Sequence, residues 1–104
     1  MKRGEVRWYR FQSSDKRRPV LIIARDSILE YLGEVTVAPI TSTIRDIPSE
    51  VFLSKRDGME RDCAVNVDHI QTVSKGKIGP LVTTLSSEKL MQVSHAIRFA
   101  LDLE

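Results

Sequence analysis

The chain has 104 residues, of which 41% are hydrophobic and 29% are charged, and its formal net charge is +2. This composition is typical of one folded domain, residues 1–104, and excludes a disordered chain; no apolar run reaches the roughly 20 residues that a membrane helix needs. The N-terminus lacks the apolar segment of a signal peptide, and a single cysteine, Cys63, excludes an internal disulfide. We therefore expect a cytoplasmic protein.

The positive charge is concentrated near the N-terminus. Residues 1–25 contain eight Lys or Arg and only two acidic residues, so the rest of the chain is net acidic. A basic end of this kind indicates a polyanionic ligand. The equal alternative is that these charges alternate along a strand and face water.

Three strands are predicted in the first half of the chain. Residues 5–11 are aromatic and β-branched, and residues 18–24 and 35–42 are apolar runs bounded by polar residues. About ten residues separate the last two runs, which suits an antiparallel connection containing one helical turn. If Ala24 faces Val35, then Arg18 faces Thr41, because directly paired residues share one face of a sheet. The guanidinium of Arg18 and the hydroxyls of Thr41 and Ser42 are thus predicted at one mouth of the sheet.

The second half predicts short strands and then a helix. Residues 51–53, 63–67, 70–73 and 78–83 read as strands, and in 63–68 every second residue, beginning with Cys63, is expected to be buried. Ser86 is a suitable N-cap for a C-terminal helix whose apolar stripe is Leu90, Val93, Ile97 and Leu101. We predict an α+β fold, a small barrel-like sheet flanked by this helix.

The available chemistry narrows the function. The cysteine and histidines lack zinc spacing, and the sequence has neither a nucleophile elbow nor a glycine-rich phosphate loop. We therefore expect no metal and no cofactor. RNA carries its own nucleophile, the 2′-OH, next to each phosphodiester. An enzyme that cleaves RNA therefore mainly needs an arginine to stabilise the phosphorane and hydroxyl groups to orient the phosphate oxygens. The alternative is that Arg18 is a solvated residue at a strand start and that Thr41 and Ser42 open a loop.

Five blocks in order carry a family resemblance: residues 3–6 with Trp8, then 17–23, 35–42, 62–67 and 70–75, with an echo of the closing helix in 90–103. With these blocks the chain resembles the MazF/PemK toxins of bacterial toxin–antitoxin modules. The resemblance implies an SH3-like antiparallel β-barrel of the CcdB/MazF/Kid type with a C-terminal helix, and a homodimer. It also implies an mRNA interferase, a metal-independent and sequence-specific endoribonuclease. Such an enzyme cuts single-stranded RNA to 2′,3′-cyclic phosphate and 5′-OH ends, and a MazE-like antitoxin with an acidic C-terminal segment neutralises it.

The resemblance also implies site residues. Its catalytic pair falls on Arg18 and Thr41, and Asp68 is the candidate carboxylate for proton transfer. The residues expected to contact RNA are Lys16, Arg17, Ser42, Thr43, Arg45, Asn66, His69 and Gln71. Trp8 is expected in the core rather than as a stacking platform.

Two departures from the family pattern stand out. The segment 12–17 is compact where a longer glycine-containing loop is common, and Arg10 stands where an acidic residue is common. Two other functions stay open, a gyrase-poisoning toxin of the same barrel and a plain RNA-binding barrel. The chain ends in Leu101-Asp102-Leu103-Glu104 and lacks the Trp-Gly-Ile end of gyrase-poisoning relatives, which argues against the first.

Overall fold

The computed structural model describes residues 1–12 and 16–103. Within these ranges the chain forms β1 (Glu5–Tyr9), β2 (Arg18–Ile22), α1 (Asp26–Leu29), β3 (Glu34–Thr41), β4 (Glu50–Leu53), β5 (Cys63–Asn66), β6 (Gln71–Ser74), β7 (Leu81–Thr84) and α2 (Ser87–Ala100). Short 3₁₀ turns occupy Lys55–Asp57, Val67–His69 and Lys75–Lys77. Neither helix in this part of the chain has the length and apolar character required to span a bilayer.

The strands form one curled antiparallel sheet in the order β4-β5-β3-β2-β1-β7. β3 organises the sheet, because it pairs with β2 along one edge and with two strands along the other. On that second edge β5 pairs near Thr41 and β6 pairs near Glu34, with the 3₁₀ turn Val67–His69 between them. The predicted α+β fold, a small SH3-like antiparallel barrel with a C-terminal helix, is confirmed as this curled sheet flanked by α2.

The β2–β3 ladder has the register that the sequence predicts. Val20 pairs with Pro39, Leu21 with Ala38 and Ile22 with Val37. Continued by two positions, the same register sets Arg18 against Thr41, at the end of the ladder remote from the β2–β3 connection. The ladder therefore fixes which polar residues meet at that end of the sheet.

Apolar residues are buried on both faces of the sheet. The larger cluster lies on the α2 side and includes Val6, Leu21, Leu53, Val65 and Val93. The other cluster lies on the opposite face and consists of Tyr9, Val20, Ile22, Leu29, Val35, Val37 and Val73. α2 begins as predicted, because the hydroxyl of Ser86 accepts a hydrogen bond from the backbone N–H of Lys89 and so caps the first turn.

Two details of the predicted burial were wrong. β5 is buried along its whole length, including Ala64 and Asn66, which were expected on a wetter face. The reason is that β5 lies between β3 and β4, where Ala64 is small enough to be covered and the Asn66 side chain accepts from the backbone N–H of Asp68 at 3.0 Å. Leu101 is 56% exposed, because α2 ends at Ala100 and the residue after it leaves the helical stripe.

Candidate active site

A cleft of about 310 Å³ opens at the end of the sheet where Arg18 and Thr41 lie. Its walls come from three segments that the fold brings together. These are residues 16–19 at the start of β2, 40–42 at the end of β3, and 59–61, which follow the 3₁₀ turn Lys55–Asp57 after β4. Trp8, Cys63 and Val82 complete the lining. The three residues predicted at the mouth, Arg18, Thr41 and Ser42, therefore share one cavity.

The wall formed by the entry to β2 is basic. Lys16, Arg17 and Arg18 follow one another in sequence, line the cleft and are exposed to solvent. The opposite wall carries one acid and one base, Glu60 and Arg61. The excess of positive charge in a concave surface suits a polyanion, because clefts focus the potential of the charges that line them.

Thr41 is partly buried at the last position of β3, where it pairs with Ala64. Its Oγ1 accepts a hydrogen bond from the backbone N–H of Thr43 at 3.1 Å, which fixes the turn that leaves the strand. A hydroxyl oxygen that accepts one bond still has its own proton to donate. The hydroxyl oxygen of Thr41 is therefore fixed in position, and its proton can be donated to a phosphate oxygen in the cleft.

Trp8 lies in the wall of the cleft and not in the core, so the expectation of a core residue was wrong. Its side chain is partly exposed, and the guanidinium of Arg17 lies 4.7 Å from the ring centroid. This separation is that of a cation–π contact. β1 pairs with β2 and β7, and at Trp8 the partner residue on β2 is Pro19, which also lines the cleft.

The second group of predicted RNA contacts lies outside this cleft. Asn66 is 5% exposed and caps the 3₁₀ turn that follows it. Asp68 is exposed, and its Oδ2 accepts a hydrogen bond from Ser49 Oγ at 2.5 Å. His69 and Gln71 are exposed on the same stretch of chain, between β5 and β6. The fold thus brings these four residues together along β3, separately from Arg18 and Thr41.

Thr43 and Arg45 lie on the exposed segment that joins β3 to β4. Neither belongs to the lining of the cleft among the described residues. The backbone N–H of Arg45 donates to Glu50 Oε1 at 2.8 Å, which ties this segment to the start of β4. Both residues follow closely in sequence on Ser42, which does line the cleft.

Three cleft residues escaped the sequence prediction: Met59, Glu60 and Arg61. They follow the 3₁₀ turn Lys55–Asp57, which ends at Gly58 with a φ of +96°. The surface that this turn faces depends on how β4 pairs with β5 and how β5 pairs with β3. No local pattern reports that pairing.

Cys63 lines the cleft from a buried position, with 5% of its surface exposed. Burial raises the pKa of its thiol, and the nearby carboxylates of Asp62 and Asp57 raise it further. A thiol with a raised pKa is a poor nucleophile, in line with the expectation of a small buried apolar residue. Among the described residues, no group of three or more His, Cys, Asp and Glu side chains is arranged to hold a metal ion.

The fold is thus a small curled antiparallel sheet with one flanking C-terminal helix and a basic cleft at the strand ends. The model of the PemK-like, MazF-like toxin of type II toxin–antitoxin systems matches residues 2–101. The chain belongs to this family, as the sequence blocks predict.

Curated relatives and solved structures agree with that membership. The chain is 36% identical over 90 residues to endoribonuclease MazF3 of Mycobacterium tuberculosis, covering 86% of this chain and 87% of the relative. It is 34% identical over 89 residues to endoribonuclease MazF of Staphylococcus saprophyticus, covering 83% and 74%. The solved structure of Mycobacterium tuberculosis toxin MazF-mt6 superposes with a TM-score of 0.88 at 32% identity, covering 96% of this chain and 98% of that one. A mycobacterial endoribonuclease solved in complex with its cognate antitoxin has the same fold, with a TM-score of 0.88 at 24% identity, covering 100% of this chain and 97% of that chain.

Proposed function

We propose that this chain is the toxin of a type II toxin–antitoxin system, one domain spanning residues 1–104, and a metal-independent endoribonuclease. Its substrate is single-stranded RNA, mRNA in the first place, cut at a short sequence in the cytoplasm. The observation that carries the proposal is the cleft that Arg18 and Thr41 share beneath a basic wall. Two curated relatives named endoribonuclease, each at least 34% identical, support the same activity.

The reaction that fits this cleft uses the substrate's own nucleophile. The 2′-oxygen attacks the adjacent phosphorus, the new 2′-O–P bond forms and the 5′-O–P bond breaks. The proton of the 2′-OH leaves to a base, and the departing 5′-oxygen takes up a proton. The products are a 2′,3′-cyclic phosphate and a 5′-OH end, with no water consumed in this step. The species that the enzyme has to stabilise is the phosphorane, because it carries extra negative charge on its oxygens.

Arg18 and Thr41 supply what that species needs. The guanidinium of Arg18 offers a planar fork of N–H donors that matches two phosphate oxygens, and its charge stabilises the phosphorane. The hydroxyl of Thr41 orients a third oxygen, helped by Ser42 beside it. Lys16 and Arg17 contact flanking phosphates, which positions the RNA without reading its sequence.

Proton transfer needs a further group, because an arginine keeps its proton at neutral pH. Asp68 is proposed as that carboxylate on the family resemblance. The alternative role of Asp68 is structural, because its carboxylate accepts a hydrogen bond from Ser49. The same resemblance gives the other proposed contacts to RNA bases or backbone, which are Thr43, Arg45, Asn66, His69 and Gln71. Because Asn66 is buried, its part is to cap the 3₁₀ turn whose neighbouring residues contact the RNA.

The proposed partners are a second copy of the chain and a cognate MazE-like antitoxin. An acidic, extended antitoxin segment laid across the basic wall would exclude RNA from it. The described chain exposes several large apolar side chains that a partner surface can cover. Among them are Tyr31, Phe52, Leu81, Met91 and Phe99.

Primer extension on a long RNA incubated with the protein in EDTA tests the activity. We expect stops at one short motif, and the 3′ fragments should accept label from a kinase without phosphatase treatment, because their ends are 5′-OH. Periodate resistance of the 5′ fragments that persists after phosphatase treatment would identify the cyclic phosphate, because phosphatase removes a monophosphate ester but not a cyclic diester. Intact RNA in the presence of folded protein would refute the proposal, and cutting only when a divalent ion is added would refute its metal independence.

A further inference from the structure

A second cavity, of about 240 Å³, lies beside the cleft described above. Trp8 and Arg17 line both cavities, so this pair forms the ridge that separates them. The far side of the ridge is lined by Tyr9, Arg10, Lys77, Gly79 and Pro80. A strand of RNA that leaves the cleft across this ridge enters the second cavity next.

The second cavity is basic. Each charged residue that lines it within the described ranges is a cation: Arg10, Arg17 and Lys77. Arg10 directly follows β1, Arg17 directly precedes β2 and Lys77 lies in the 3₁₀ turn after β6, so the fold gathers these cations from three parts of the chain. A cavity with this charge attracts an anion, and phosphate is the anion that single-stranded RNA presents at every nucleotide.

The rim of the cavity is fixed by backbone contacts. Trp8 and Gly79 are joined by a hydrogen bond from Gly79 N to Trp8 O of 2.8 Å, and Trp8 N donates to Pro80 O at 3.1 Å. The guanidinium of Arg7 adds a bond to the Gly79 carbonyl at 3.1 Å. A Cβ at Gly79 would lie 3.0 Å from Trp8 O, so a side chain at this position would crowd the Trp8 carbonyl. The second cavity is therefore held firmly against β1.

We propose that this second cavity, defined by Arg10, Lys77 and the Trp8–Arg17 ridge, binds the phosphate of a nucleotide that flanks the scissile phosphodiester. A base of that stretch stacks at the ridge. This inference rests on the proposed function. Single-stranded nucleic acid is held by aromatic rings that stack on bases and by cations that contact the backbone, and the ridge and the cavity supply these in succession.

RNA explains this arrangement better than an acidic peptide does. Carboxylates need the cations alone, whereas Trp8 offers a partly exposed ring between two basic cavities. Arg17 already lies over that ring, and both an arginine plane and an indole ring accept a stacked base.

Kinetics on a nested set of RNA substrates test the proposal. After the cut site is mapped, oligonucleotides are extended from the shortest one cleaved, one nucleotide at a time on each side. Arg10→Asp and Lys77→Ala are compared with wild type and with Arg98→Ala, which removes an exposed cation from α2 outside both cavities. We expect each cavity variant to raise KM about ten-fold for substrates extended on one side, with kcat unchanged.

The shortest substrate should be cleaved alike by all four proteins. Binding of an extended, uncleavable 2′-deoxy analogue gives an independent readout. In this binding measurement the slope of log affinity against log salt should fall in magnitude by about 0.7 for Lys77→Ala.

Equal KM values for all four proteins on every substrate would overturn the inference while leaving the proposed function intact. Cavity variants that cleave RNA normally but bind an acidic peptide more weakly would assign the cavity to a protein partner instead. Wild-type protein that cleaves no substrate would refute the proposed function itself.

Discussion

Arg18 and Thr41 lie at the same end of the β2–β3 ladder, two positions beyond the pair Val20 and Pro39. Direct partners in an antiparallel sheet have Cβ atoms about 5 Å apart. Both residues line the same cleft, although twenty-two positions separate them in sequence. Strand pairing alone is therefore enough to bring a guanidinium and a hydroxyl to one cleft.

Replacing Arg18 by Ala should lower kcat/KM for RNA cleavage by about 10² to 10³, as the loss of one charged donor to a transition-state oxyanion does in other enzymes. Arg18→Lys should recover little, because an ammonium lacks the planar fork. The melting temperature should stay within about 3 °C of wild type, since Arg18 is an exposed residue. The matched control is Arg25→Ala, an exposed arginine just after β2. Cleavage by Arg18→Ala at the wild-type rate would remove Arg18 from the mechanism.

Thr41 is tested by a pair of substitutions that separate its hydroxyl from its shape. Thr41→Ser keeps the oxygen that accepts from Thr43 N, whereas Thr41→Val keeps the branched shape and loses it. We expect Thr41→Ser to retain most of the activity. Thr41→Val should lose about 10- to 100-fold in kcat, the cost of one donor to a charged oxygen. Single-turnover cleavage measures this directly. Equal rates for the two variants would show that the hydroxyl has no part in the reaction.

Asp68 and Ser49 allow the catalytic hypothesis to be separated from a structural one. Ser49→Ala and Asp68→Asn both disturb the hydrogen bond between these side chains, and each should lower the free energy of unfolding by about 1 kcal/mol. Only Asp68→Asn removes the carboxylate. Under the proton-transfer hypothesis its kcat falls at least ten-fold below that of Ser49→Ala. Equal kcat values for the two variants would limit Asp68 to a structural role in its turn.

That Arg18 and Thr41 lie at one end of the sheet was predictable, because two apolar runs joined by a short connection favour antiparallel pairing and the register follows once Ala24 is set against Val35 beside that connection. The burial of Ala64 and Asn66 was not, because it depends on β5 lying between β3 and β4, which follow each other in sequence but do not pair with each other. Trp8 shows the same limit. An aromatic residue in a strand is usually core, and only the sheet order reveals that this ring borders a cleft.

The buried thiol of Cys63 predicts a pH dependence of stability. Burial raises its pKa in the folded protein above the ordinary value of 9.0, so the thiol contributes stability that is fully present below that value. This contribution is lost as the pH rises through the raised folded value, because the unfolded thiol ionises first. The stability of wild type relative to Cys63→Ala should therefore decline between pH 8 and pH 10, as measured by urea unfolding. A constant difference across that range would contradict the shift.

Gly58 ends the 3₁₀ turn beside the cleft, and its backbone has a φ of +96°. A Cβ there would overlap Oγ1 of Thr83, whose hydroxyl donates to Asp57 O at 3.0 Å. Gly58→Ala therefore combines a strained conformation with a displaced hydrogen bond, and should lower the free energy of unfolding by about 2 kcal/mol or more.

The matched control for this substitution is Gly33→Ala, since no heavy atom lies within 4 Å of a Cβ at Gly33. Replacing Gly33 by alanine should leave the free energy of unfolding unchanged or raise it by up to about 1 kcal/mol, because alanine restricts the unfolded chain. Thermal unfolding of both variants measures the contrast. Because the turn at Gly58 carries Met59, Glu60 and Arg61 into the cleft, Gly58→Ala should also raise KM for RNA, whereas Gly33→Ala should not. A Gly58→Ala protein as stable as Gly33→Ala would show that the turn relaxes without strain.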